Sequence, residues 1–116
     1  KAFGKPIGLF EGVGAKLATM FTANDLGRML AYRAAWAMEQ QDPESPVLTA
    51  CAKLFSSESI NEIADLAMQV HGGHGYLKGS TVERLSRDAR YAVIAYGTSE
   101  MQRAAIARDS LDKFKP

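Results

Sequence analysis

Two short stretches in the C-terminal half of this 116-residue chain carry the residue types best suited to chemistry. One is Gln69-Val70-His71-Gly72-Gly73-His74-Gly75-Tyr76, and the other is Tyr96-Gly97-Thr98-Ser99-Glu100-Met101-Gln102-Arg103. Each sets glycine beside a helical pattern. A helix N-terminus leaves backbone N–H groups unpaired and carries partial positive charge, so it attracts anions. Successive N–H groups in a glycine turn also form a concave nest for phosphate oxygens. Either stretch alone is what an ordinary helix end looks like, since glycine commonly closes helices. The two in order are a more specific signal than either part.

Other reactive residue types are weaker candidates. His71 and His74 stand three apart, but no third ligand has suitable spacing for a metal site. Cys51 is the one cysteine and lies in an apolar helical stretch, where it reads as a small core residue. Arg84, Arg87 and Arg90 step by three, with Glu83 four before Arg87, the spacing of a solvated or interface salt-bridge face; contact with a nucleotide phosphate is the alternative. Tyr96 is a phenol with a reference pKa of about 10, mostly protonated at neutral pH and a poor base there.

The elements that must position these residues read as helices throughout. Gly4-Lys5-Pro6 opens the first segment, with Pro6 suited to a first turn. Ile7, Phe10, Val13, Leu17, Met20 and Phe21 then recur at steps of three and four, which puts them on one face. Thr22-Ala23-Asn24-Asp25 offers cap chemistry in mid-stream, so this region reads as one long helix or as two. Gln40 to Pro46 is a clear break. A second long helix spans about Val47 to Val70, with Leu48, Cys51, Ala52, Phe55, Ile60, Ile63, Leu66, Ala67 and Val70 inside. His71 to Gly75 stops it. A short helix follows from Ser80 to about Asp88, and a last one from Glu100 to about Asp112, capped by Thr98 or Ser99. Tyr91-Ala92-Val93-Ile94 is ambiguous between helix and strand.

The expected fold class is therefore all-α, an up-and-down four-helix bundle formed by residues 1–116 as a single domain. The long helices have too few partners here to be covered on every side, which points to burial against another domain or subunit. Tyr32 and Trp36, with Met20, Met29 and Met38, read as core or subunit packing.

Composition excludes several classes. Fourteen basic and thirteen acidic residues leave a net charge of +1, too balanced for a nucleic-acid or membrane-surface protein. No apolar run approaches the roughly 20 residues that span a bilayer, and Lys1 to Lys5 has no signal-peptide pattern. A lone cysteine suits a reducing compartment, the cytoplasm of a bacterium or the mitochondrial matrix.

Gln69 to Tyr76, then Val82-Glu83-Arg84 and Arg87-Asp88-Ala89, then Gly97-Thr98-Ser99-Glu100 resembles the C-terminal domain of the acyl-CoA dehydrogenases. The likeness begins at Phe3-Gly4-Lys5-Pro6-Ile7 and runs to Ala107-Arg108. It implies a four-helix domain that follows a helical domain and a small β domain in a longer chain. It implies FAD as cofactor, lying between domains and reaching a neighbouring subunit of a dimer or tetramer, homotetramers included. By position, Phe3, Phe10 and Glu11 would face the FAD of the neighbouring subunit. Gln69, Val70, His71, Gly72 and Gly73 would line its adenine and pyrophosphate. Thr98 and Glu100 would contact the FAD held mainly by the same subunit, and Gly97 would lie near the acyl-CoA thioester. Glu11 departs from the family's usual glutamine, and Leu77-Lys78-Gly79-Ser80 departs from its usual acidic-aromatic-proline lead.

The implied reaction is α,β-dehydrogenation of an acyl-CoA: the pro-R α-proton leaves to a base while the β-hydride goes to the flavin. Many members carry that base as a glutamate just before the glycine, and Tyr96 occupies the position here. Three explanations stand. The base comes from a glutamate on an earlier helix, as in some members; or from a partner in a hetero-oligomer; or Tyr96 donates a hydrogen bond in a variant chemistry. The resemblance implies an electron-transfer flavoprotein as the electron acceptor. The alternatives are an acyl-CoA oxidase, which passes electrons to O₂, and a non-catalytic helical assembly subunit. Residues 1–116 alone are expected to be inactive.

Overall fold

The computed structural model describes residues 1–115 and is built from helices and turns. A 3₁₀ turn at Ile7–Leu9 precedes α1 (Glu11–Glu39), α2 (Ser45–His71), the one-turn α3 (Gly73–Tyr76), α4 (Thr81–Ala92) and α5 (Ser99–Lys113). The all-α reading therefore holds, with four long helices and one added turn. No strand occurs among the described residues; Tyr91 and Ala92 end α4, and Val93 and Ile94 are turn.

Some boundaries differ from those read in the sequence. Pro6 caps the 3₁₀ turn instead of opening a long helix, and Phe10 is extended, so α1 starts at Glu11. Through Thr22 to Asp25 the helix runs on as one, the reading that the family resemblance favours over two. Nothing there removes a backbone donor, and packing on α2 sustains the ladder past local cap chemistry. Pro46 lies inside the first turn of α2, where its missing N–H has no helical acceptor to lose. Asp42 organises the break by accepting the Glu44 N–H at 2.8 Å.

α2 is the spine, about 40 Å long at 1.5 Å per residue. α1 lies antiparallel along one side of it: Gly27 meets Ser56, and Ala23 and Asn24 border a depression with Ser59 and Ile63. α4 and α5 lie end to end along another side, both antiparallel to α2. Asn61 and Lys53 bond α4 at Ala89 and Ala92, whereas Glu58 and Glu44 pair with α5 at Arg103 and Lys113. α1, α4 and α5 all pack on α2 and not on one another.

The resulting core is thin. Its buried residues are Ala34, Ala37, Ala50, Ala52, Ala64 and Ala89, with Ser57, Gly75 and Ser99, small residues that let helices approach closely. Ile60, expected on the inner face of α2, stands at 40% exposure, and Leu17 and Phe21 of the apolar face read in the first segment stand at 44% and 74%. Along α1, Phe21, Met29, Tyr32 and Trp36 form an exposed stripe. Of the two readings for Tyr32 and Trp36, packing inside this domain is ruled out. The radius of gyration is 17.8 Å, against about 13 Å for a compact chain of this length. The molecule is a rod with apolar flanks.

Two ion pairs clamp α5 to α2, Arg103–Glu58 at 2.6 Å and Lys113–Glu44 at 2.7 Å. Arg103 holds the Glu58 carboxyl below the usual carboxylate range. The folded chain thus gives up that proton more readily than the unfolded one. Its stabilisation is present above the unfolded pKa of about 4 and is lost as pH falls through the lower folded value. Both side chains are about half exposed, so the effect at neutral pH should stay under about 1 kcal/mol. In the full-length protein, Glu58→Gln should lower the urea midpoint slightly at pH 7 and flatten the acid limb of stability. Equal losses at neutral and acid pH would remove the ion pair from the account.

Candidate functional site

The first glycine joint is built at the end of α2. Gly72 adopts φ 60° and ψ −149°, a conformation open to glycine alone, and its N–H bonds back to Gln69 O at 3.2 Å. That reversal starts α3, whose opening N–H groups at Gly73 and His74 have no intrahelical acceptor. Gly75 is buried, and a Cβ there would lie 2.8 Å from His71 Cβ and 3.2 Å from Met68 O. His71 Nδ1 lies 2.8 Å from Ala67 O. A carbonyl only accepts, so Nδ1 carries a proton there, and in the neutral ring Nε2 is the acceptor.

The second joint links α4 to α5. Tyr96 and Gly97 are both left-handed, at φ 56° and 90°. For a tyrosine that conformation costs on the order of 1–2 kcal/mol, yet its side chain is 93% exposed. Thr98 caps α5 by accepting the Met101 N–H at its Oγ1, 3.3 Å away, and the Gln102 N–H at its carbonyl, 3.0 Å away. The Ser99 N–H donates to Val93 O at 3.2 Å. Glu100 is held below the usual carboxylate range, first by its own backbone N–H and then by the Thr98 hydroxyl. The Ser99 hydroxyl is buried without a partner in bonding geometry, beside the Glu58 carboxylate.

These candidates fall into two groups. At one end of the rod, Phe3 packs edge-on against Phe10 with centroids 6.2 Å apart, and the Lys5 ammonium sits 4.3 Å over the Phe10 ring. Glu11 follows as the first residue of α1. The α1–α2 register sets this cluster level with Gln69, Val70, His71, Gly72 and Gly73. Gly97, Thr98 and Glu100 lie level with Glu58, about 20 Å back along α2. A single chain does not bring the two glycine joints into one pocket.

Their fit to a dinucleotide differs. A Cβ on Gly72 or Gly73 would have nothing within 4 Å, so a ligand can lie against this backbone. Gln69 and Asp65 border the same depression. The free N–H groups of Gly73 and His74 suit phosphate or ribose oxygens. A carboxylate borders each joint, Asp65 at the first and Glu100 at the second, but at the start of α5 most amides are already used. That end fits a hydroxyl or a heterocycle edge better than a phosphate. Among the described residues no cluster of three His, Cys, Asp or Glu side chains is placed to hold a metal, and no helix is long and apolar enough to cross a membrane.

Sequence reasoning passed over Lys53 and Asn61. The Asn61 side-chain amide donates to Ala89 O at 2.9 Å, and the Lys53 ammonium donates to Ala92 O at 2.5 Å. Lys53, Ser57 and Asn61 are spaced i, i+4, i+8 on a face otherwise apolar, and that polar ladder was the available signal.

Comparison with known proteins agrees over nearly the whole chain. The acyl-CoA dehydrogenase C-terminal domain matches residues 1–111. Probable acyl-CoA dehydrogenase YngJ of Bacillus subtilis is 44% identical over 111 residues, 96% of this chain and 29% of that protein. A solved FAD-dependent dehydrogenase superposes with a TM-score of 0.87 at 31% identity, over 95% of this chain and 30% of its own. A chain from the structure of the electron transferring flavoprotein of Acidaminococcus fermentans gives 0.90 at 32% identity, over 96% and 29%. The chain thus spans under a third of the length of these relatives.

Proposed function

Since the chain belongs to the acyl-CoA dehydrogenase family, as its C-terminal domain, we propose that it is the FAD-binding and oligomerisation domain of an enzyme that dehydrogenates an acyl-CoA thioester. The observation that carries this is the separation of the candidate residues into two groups about 20 Å apart on one rod. A domain that serves two flavins, one of its own subunit and one of a neighbour, needs that layout. The apolar stripe on α1 supports burial in an assembly of several subunits.

In this reading Phe3, Phe10 and Glu11 close one side of the neighbour's dinucleotide. Gln69, Val70, His71, Gly72 and Gly73 hold its adenine and pyrophosphate, with His71 Nε2 as an acceptor. Thr98 and Glu100 meet the flavin of their own subunit, and Gly97 lies near the thioester. Bound FAD would supply the hydride acceptor. Tyr96 stands where many members carry the glutamate and offers no carboxylate, so the α-proton leaves to a carboxylate outside residues 1–116. The electrons pass to an electron-transfer flavoprotein, in a bacterial cytoplasm or a mitochondrial matrix.

The test uses the full-length protein. Purified protein should carry flavin, and acyl-CoA should bleach its visible band without oxygen. Tyr96→Phe should leave turnover within about threefold, since no proton transfer is lost. A drop of a hundredfold would make the hydroxyl essential and overturn the outside-base reading. Hydrogen peroxide at the rate of turnover would identify an oxidase. Protein that holds no flavin would return the chain to an assembly role.

A further inference from the structure

We propose that Lys53 is a positioning residue: from α2 it pins the C-terminal end of α4 and thereby sets the strained Tyr96–Gly97 joint. α4 ends at Ala92, four residues before Tyr96. A helix end leaves carbonyls unpaired and carries partial negative charge, so it needs donors and favours a cation. Here both come from α2. The Asn61 amide bridges Ser57 O at 2.8 Å and Ala89 O at 2.9 Å, and the Lys53 ammonium takes Ala92 O.

Lys53 has no carboxylate partner among the ion pairs of the described residues. Asp88 borders the same depression but is paired with Arg84 at 3.0 Å, so the Lys53 charge answers the helix end. It is half-buried, and with Tyr91, Ala95 and Tyr96 it lines one depression, so it acts from beneath the joint. Beyond Ala92 the joint is held only by partners close in sequence, among them the Gln102 side-chain amide, which donates to Gly97 O at 3.4 Å, and the Ile94 N–H, which donates to Tyr91 O at 3.0 Å. The Ala95 N–H bonds to Tyr91 O and the Ser99 N–H to Val93 O, each across a short turn. A left-handed tyrosine persists only where its surroundings over-determine it, and Lys53 is the tertiary contact next to that turn. The consequence for substrate follows from the function proposed above; the anchoring of the joint does not depend on it.

Hydrogen exchange on the full-length protein tests this. Lys53→Met should speed exchange of the Ala95 and Ser99 amides by at least about tenfold, the worth of a hydrogen bond to a charged group, and leave the α1 amides unchanged. Lys53→Arg should restore slow exchange, because it keeps both charge and donor. Asn61→Ala should loosen the same two amides should Lys53→Met fail to fold. If the protein binds flavin, Lys53→Met should raise KM for acyl-CoA more than it lowers kcat, with Arg restoring it. Exchange that rises equally throughout the chain, or not at all at Ala95 and Ser99, would overturn the proposal. Wild-type protein without flavin sinks the enzyme reading, and the exchange result still decides the role of Lys53.

Discussion

Replacing Gly75 by alanine in the full-length protein should cost about 1–3 kcal/mol of stability, the largest loss expected from adding one methyl group to this chain. The added carbon would stand 2.8 Å from His71 Cβ, closer than such atoms approach, and 3.2 Å from Met68 O. Met68 and His71 are backbone-fixed in the last turn of α2, so neither yields as a long side chain would. Relief requires α3 to lift away or the final turn of α2 to open. Either movement displaces Gly72 and Gly73, and opening the turn also frees His71 from Ala67 O, so on the function proposed above flavin retention should fall together with the melting temperature. Gly97→Ala is a contrasting control. Its clash is with Gln102 Nε2, the far end of a flexible side chain, leaving mainly the penalty of φ 90°. A Gly75→Ala protein that melts like wild type would show that α3 is not seated against α2.

Much of this was legible in residue spacing, and what was not has identifiable causes. The stop at His71 to Gly75 and the cap at Thr98 are local events written in glycine and hydroxyl chemistry, and both stand where the sequence puts them. The continuity of α1 past Thr22 to Asp25 is not local: a cap forms only if the chain leaves the helix, and α2 holds it there. The short helix after Ser80 extends to Ala92 instead of Asp88 because Asn61 and Lys53 satisfy its end from another helix, sequence-distant partners that no window contains. Periodicity put Phe21 on one face with Phe10, Val13 and Leu17 and could not tell which side of α1 would meet α2. Small residues decided it, since Ala34 and Ala37 admit the close approach that an aromatic side refuses. At the candidate site, the glycines were legible as joints, but their 20 Å separation needed the register of α2 against α4 and α5.

That rejected side of α1 carries the second large expectation. Produced alone, residues 1–116 should keep their helices and associate, because the core they close is alanine and serine while Phe21, Met29, Tyr32 and Trp36 face water. Burying an aromatic or methionine side chain is worth roughly 1.5–3 kcal/mol, so a shared stripe outweighs the weak alanine contacts within one copy. Light scattering on a sizing column should give a mass above that of one chain at micromolar concentration. The Phe21→Ser, Trp36→Ser pair should weaken that association by at least about a hundredfold while the far-ultraviolet helix signal persists, since both residues are mostly exposed in the single chain. If the wild-type chain instead runs as a monomer with a sharp thermal transition, the stripe is not a cohesive surface. The thin core would then suffice by itself. If the double variant loses its helices, Phe21 and Trp36 support the fold of the single chain, and the apolar stripe must be counted with the core.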